Sequence, residues 1–139
     1  MNKIQEIILN LIEETQFNEF DGEKIAKDLR ENEDKWKGVI FGRFYYGTLI
    51  PLRDIDKGFY NADTIFIKLS KENLEWLKEM VEKWKVDEFG YYLDGKLEGI
   101  VDDNLAGLAG LEKKDCLHLF LPLGAEPEEG MVYARLWWD

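Results

Sequence analysis

The chain has 139 residues, 45% of them hydrophobic and 14% aromatic, with 29 acidic against 18 basic side chains for a formal net charge of −11. That content argues against disorder and supplies one ordinary core, too little for two comfortable domains. A protein that neutralises phosphates needs clustered Lys and Arg, and only four arginines (Arg30, Arg43, Arg53, Arg135) exist, so direct DNA or RNA binding is not expected.

From Met1, the periodicity of Ile4, Ile7, Ile8, Leu11 and Ile12 predicts a helix over Lys3 to Gln16, with Asn2 placed to cap it. Glu6, Glu13 and Glu14 interrupt its apolar face, which is unlike a signal peptide, and no apolar run approaches bilayer-spanning length. A soluble cytoplasmic protein is expected. A second helix is predicted from Asp21 to about Glu33, with Ile25, Ala26 and Leu29 inward. Residues 21–30 resemble the first helix of a helix-turn-helix, but no polar recognition helix follows and the segment is acidic.

From Gly38 the period changes to two. Val39, Phe41, Arg43 and Tyr45 alternate with Ile40, Gly42, Phe44 and Tyr46, and two largely apolar faces predict a central strand. Thr48 to Leu52 reads as a short or edge strand limited by Pro51, Arg53 to Asp63 as a loop, and Thr64 to Leu69 as a strand closed by Ser70, a potential helix cap. The helix from Lys71 to about Lys85 carries a core stripe of Leu74, Leu77, Val81 and Trp84, with Glu79–Lys83 or Lys78–Glu82 pairs on its wet side. Trp76 and Met80 widen that stripe, and a structural subunit that self-associates through them is one functional alternative.

Asp94-Gly95 between Phe89 to Leu93 and Lys96 to Val101 is a hairpin signal, because both turn positions tolerate positive φ. Cys116 to Leu123 and Met131 to Trp138 read as a final strand pair. Their connection holds Glu126, Glu128 and Glu129, expected at a sheet edge with no local base. The whole predicts a single α+β domain spanning 1–139, with a helical pair in 1–35 and a mainly antiparallel sheet in 36–139, on which the helix at 71–85 packs.

No catalytic, cofactor or metal site is predicted. The single histidine, His118, shares a strand face with the single cysteine, Cys116, and reads as its buried structural neighbour; proximity along one strand does not make a nucleophile and its base. Asp102-Asp103-Asn104 offers adjacent oxygen ligands before the glycines at 107 and 110, and a metal- or small-ligand-binding enzyme using this loop is the other alternative. It lacks the spacing of a calcium loop and reads first as a turn and helix cap. A sugar or nucleotide cleft among Tyr45, Tyr46, Tyr91, Tyr92, Trp137 and Trp138 is a minor reading.

Charge patterning is the remaining clue, since it governs partners and encounter rates rather than fold. Met1 to Lys35 has ten acids against five bases, Trp36 to Lys85 seven against nine, and Val86 to Asp139 twelve against four. The sequence therefore predicts a stoichiometric binding protein, of the immunity or anti-defence inhibitor type, whose carboxylates imitate phosphate towards a basic nuclease, toxin or other nucleic-acid-handling protein. Glu126, Glu128, Glu129, Asp102 and Asp103 are the expected charges, with Tyr91, Tyr92 and Trp137 as apolar anchors.

Overall fold

The structure is a computed structural model, and it describes residues 1–43, 55–99 and 126–139. The first helix, α1 (Lys3–Glu13), begins where the Asn2 side chain accepts the Gln5 amide at 2.8 Å. It ends short of Gln16 because the chain turns into a small ribbon, β1 (Gln16–Phe17) against β2 (Phe20–Asp21), with Asn18 at φ 44° in the turn. Asn tolerates that left-handed conformation better than most residues. Asp21 caps α2 (Gly22–Glu31) by accepting the Lys24 amide, and that bond holds its carboxyl below the usual carboxylate range.

The inward face of α1 is rotated from the expected one. Leu9 and Ile12 are buried, whereas Ile4 and Ile7 stay exposed. Gln5 supplies the reason: its carboxamide accepts the Val39 N–H at 2.9 Å and donates to the Val39 carbonyl at 2.8 Å. The first turn of α1 therefore meets the strand β3 (Gly38–Gly42) through a polar clamp instead of through Ile4.

Among the described residues, five strands form one antiparallel sheet in the order β3, β4 (Thr64–Ser70), β7 (Met131–Trp137), β5 (Glu88–Leu93), β6 (Lys96–Gly99). One expectation is corrected here. Among the described strands β3 stands at an end of the sheet, because side chains serve its outward backbone: Gln5 at Val39, and the Tyr60 hydroxyl donating to the Phe41 carbonyl at 2.9 Å. Meanwhile β7 lies between β4 and β5; the partner expected for it is the segment at 116–123. That segment lies outside the described residues, as do the strand expected at 48–52 and the far part of the one at 38–46. The Asp94-Gly95 hairpin stands as predicted, with φ 46° and 85° at the two turn positions.

One sheet face carries Val39, Phe41, Ile65, Ile67, Leu69, Val132, Ala134 and Leu136, and it joins buried residues of the three described α-helices in a single core. Phe20 links ribbon to sheet by stacking on Phe17 and Phe41 at 5.1 and 5.3 Å and meeting Trp138 edge-on at 4.8 Å.

The third helix, α3 (Leu74–Lys83), follows a 3-10 turn at Lys71–Asn73, to which Ser70 makes no side-chain capping bond. Its expected pairs are replaced: Lys78 bonds Glu75 at 3.3 Å, and Lys83 reaches across to the buried Asp28 of α2 at 2.7 Å. The other Asp28 oxygen accepts the Trp84 indole N–H at 2.8 Å, and Trp138 donates its own indole N–H to the Trp84 carbonyl at 2.9 Å. Trp76 and Met80 are half-buried against this core, with the Trp76 ring edge-on to Trp84.

α3 ends within two residues of the expected Lys85, although neither Gly nor Pro marks the stop. Val86 donates to the Val81 carbonyl and Lys85 to that of Glu82, the Schellman pattern, with Lys85 at φ 54° where glycine is usual. Lys85→Gly is expected to raise stability by about 1 kcal/mol, or about 3 °C in Tm, by removing the left-handed strain. The exposed Lys85–Glu19 pair that it sacrifices is worth little. Thermal unfolding of the two proteins at one pH checks this.

Candidate functional site

At the end of the sheet where β7 begins, the loop 126–130 is fixed from three sides. The Gly130 amide donates to the Asp94 carboxylate in the β5–β6 turn at 2.7 Å, and the Lys71 amide donates to the Gly130 carbonyl at 3.0 Å. From the sheet, the Tyr133 hydroxyl accepts the Glu128 amide at 3.0 Å. The loop itself closes by a bond from the Met131 amide to the Glu128 carbonyl, with Gly130 at φ 75°. Glu126, Glu128 and Glu129 are all exposed on it.

Register explains what lies beneath. Lys68 of β4 is opposite Tyr133 of β7, and Tyr133 is opposite Tyr92 of β5, so the three side chains form a row on the sheet face away from the helices. Glu128 bonds the Lys68 ammonium, which also sits 5.7 Å above the Tyr133 ring. The expectation of three glutamates with no local base is thus corrected. The loop also opens a central strand instead of lining a sheet edge, which brings a β4 lysine within reach.

The Glu128 hydrogen bond outweighs desolvation and raises the Lys68 pKa above its usual value of 10.5. The stabilisation from that pair is present at neutral pH and is lost as pH rises from about 10.5 through the folded-state value.

Tyr92, Asp94, Pro127, Glu128 and Glu129 line an open cleft of about 390 Å³. Glu126 and Glu129 pair with no cation among the described residues. No group of three Asp, Glu, His or Cys side chains among the described residues is arranged to hold a metal ion. The cleft is therefore a pre-positioned anionic surface with one aromatic wall. Its carboxylates can accept hydrogen bonds from ammonium or guanidinium groups.

Two expected anchors are not brought to it. Strand alternation turns Tyr91 to the core side, where its ring lies 5.6 Å from Phe89. Trp137 is four residues along β7 from Tyr133, about 13 Å away, opposite Glu88 and Thr64. Trp138 is buried, so among the described residues Tyr91, Tyr92, Trp137 and Trp138 share no cleft; Tyr45 and Tyr46 lie outside them. Asp102, Asp103 and Asn104, with Cys116 and His118, lie outside the described residues.

Sequence reading missed Asp94, Lys68 and Tyr133. Asp94 looked fully explained by its turn, and the other two become site residues only through pairing with distant strands.

No protein-family model, curated protein or solved structure matches the chain. No helix among the described residues is long and apolar enough to cross a membrane.

Proposed function

We propose that this chain is a small acidic cytoplasmic protein that binds a basic nucleic-acid-handling protein one to one and inhibits it, as immunity and anti-defence factors do. The observation that carries the reading is the fixed loop 126–130, with exposed Glu126, Glu128 and Glu129 beside Asp94 and Tyr92. A loop backbone fixed before the encounter loses little freedom on docking, and its carboxylates steer a basic partner and occupy the place of phosphates without any reaction. A lone cysteine, which leaves no internal disulfide, suits a reducing compartment.

The test compares two immobilised baits, the native protein and the E126Q/E128Q/E129Q variant, in nuclease-treated source lysate at low salt. One basic nuclease, toxin or polymerase should elute from the native bait in a salt step. The variant should bind it at least about tenfold more weakly, with a shallower salt dependence, because charges within about 8 Å dominate at physiological ionic strength. Equal capture and equal salt dependence by both baits would dismiss the assignment.

A further inference from the structure

The acidic cleft has an apolar neighbour. On the other side of Lys68 and Tyr133 lies a groove of about 400 Å³, walled by Ile4 and Ile8 of α1, Ile40 of β3 and Phe66 of β4, with Lys68 and Tyr133 as its floor and rim. Those two residues also bond Glu128 of the acidic loop, so groove and cleft adjoin across the Lys68–Glu128 contact.

The groove walls are costly in water. Ile4 is 72% exposed and Ile40 39%, although α1 has the apolar arc to bury more. Gln5 keeps Ile4 outside by taking the contact with β3, and the same carboxamide occupies both outward backbone groups of Val39. The edge of β3 is thus closed to an added strand at the point where the groove runs along it, so the groove is suited to side chains and not to β-pairing.

Resting on the reading above, we infer that the groove is the apolar half of the same docking surface. Its occupant is a protein segment that presents an aliphatic or aromatic side chain a few residues from Lys or Arg. Charge complementarity selects that occupant. Next to the groove the Lys68 ammonium is already matched by Glu128, which leaves Glu126 and Glu129 for incoming cations. An apolar anchor in a pocket with charges at its rim is the usual distribution of binding energy at protein interfaces. A bare polycation would use the loop and ignore the groove.

Two synthetic peptides of equal length and charge serve as probes, one of lysine with glutamine spacers, the other with two spacers replaced by leucine. Calorimetry at low salt should show the leucine peptide binding about tenfold more tightly to the full chain. The charge-neutral substitutions Ile40→Gln and, separately, Ile4→Gln should remove that advantage and leave the affinity for the lysine–glutamine peptide unchanged. Both side chains are exposed, and circular dichroism verifies the fold of each variant. Equal affinity for the two peptides, insensitivity of the leucine peptide to both substitutions, or no binding of either peptide overturns the groove assignment. If E126Q/E128Q/E129Q binds both peptides as the native protein does, the acidic-loop reading fails instead.

Discussion

Gly22→Ala is expected to destabilise the protein by about 3 kcal/mol or more, although helix propensity alone would assign alanine a gain of about 1 kcal/mol inside a helix. The opposition of sign makes the substitution informative. Gly22 opens α2 while its amide bonds the Thr15 carbonyl at 3.1 Å, so the start of α2 is packed directly on the end of α1. A β-carbon there would overlap the Ile12 and Thr15 carbonyl oxygens, and both belong to backbone that cannot swing aside as a side-chain tip can. Relief requires separating α1 from α2 or distorting the ribbon that carries Phe20, the ring joining Phe17, Phe41 and Trp138. Urea unfolding should show a lower midpoint at an unchanged slope. A midpoint equal to or above that of the native protein would mean that the close approach of the two helices is not required.

Asp28→Ala is expected to cost about 2–4 kcal/mol, and Asp28→Asn distinctly less. Asp28 is 6% exposed, and its two oxygens take the Lys83 ammonium and the Trp84 indole N–H. Alanine leaves the Trp84 donor buried without an acceptor, in a residue only 2% exposed. The Lys83 side chain is 44% exposed, so water recovers much of its solvation. Asparagine keeps an acceptor for one of the two donors. Because the Trp84 carbonyl also receives the Trp138 indole N–H, loss of Asp28 loosens the joint between α2, α3 and the end of β7. Chemical unfolding of the three proteins, followed by tryptophan fluorescence, should rank them native, Asn, Ala. An alanine variant as stable as the native protein would show the pair to be dispensable.

What could be read in the sequence was local. Period-2 and period-3.6 patterns located the helices, β4, β7 and the Asp94-Gly95 hairpin, because each depends on neighbours a few residues away. Errors arose where a distant group decided. Val39 and Phe41 looked like a central strand, since nothing local showed that Gln5 and Tyr60 would serve its open side. Lys83 was assigned to Glu79, one turn away, and went instead to Asp28, 55 positions away. The acidic loop was visible as composition. Its fixation by Asp94 and its single cation from Lys68 depend on the strand order, which carries no short-range signature.

That strand order also bears on how the chain acquires its structure. β7, the latest of the five in sequence, lies in the middle and joins β3–β4 to β5–β6. Until residues 131–137 arrive, the earlier strands among the described residues can pair only as β3–β4 and β5–β6, and a lone two-stranded pair is marginal in water. On a ribosome the sheet therefore closes late, after loops of high sequence separation have been joined, which slows folding. The exposed edges of the two waiting pairs are the stage most open to aggregation or to holding by a chaperone.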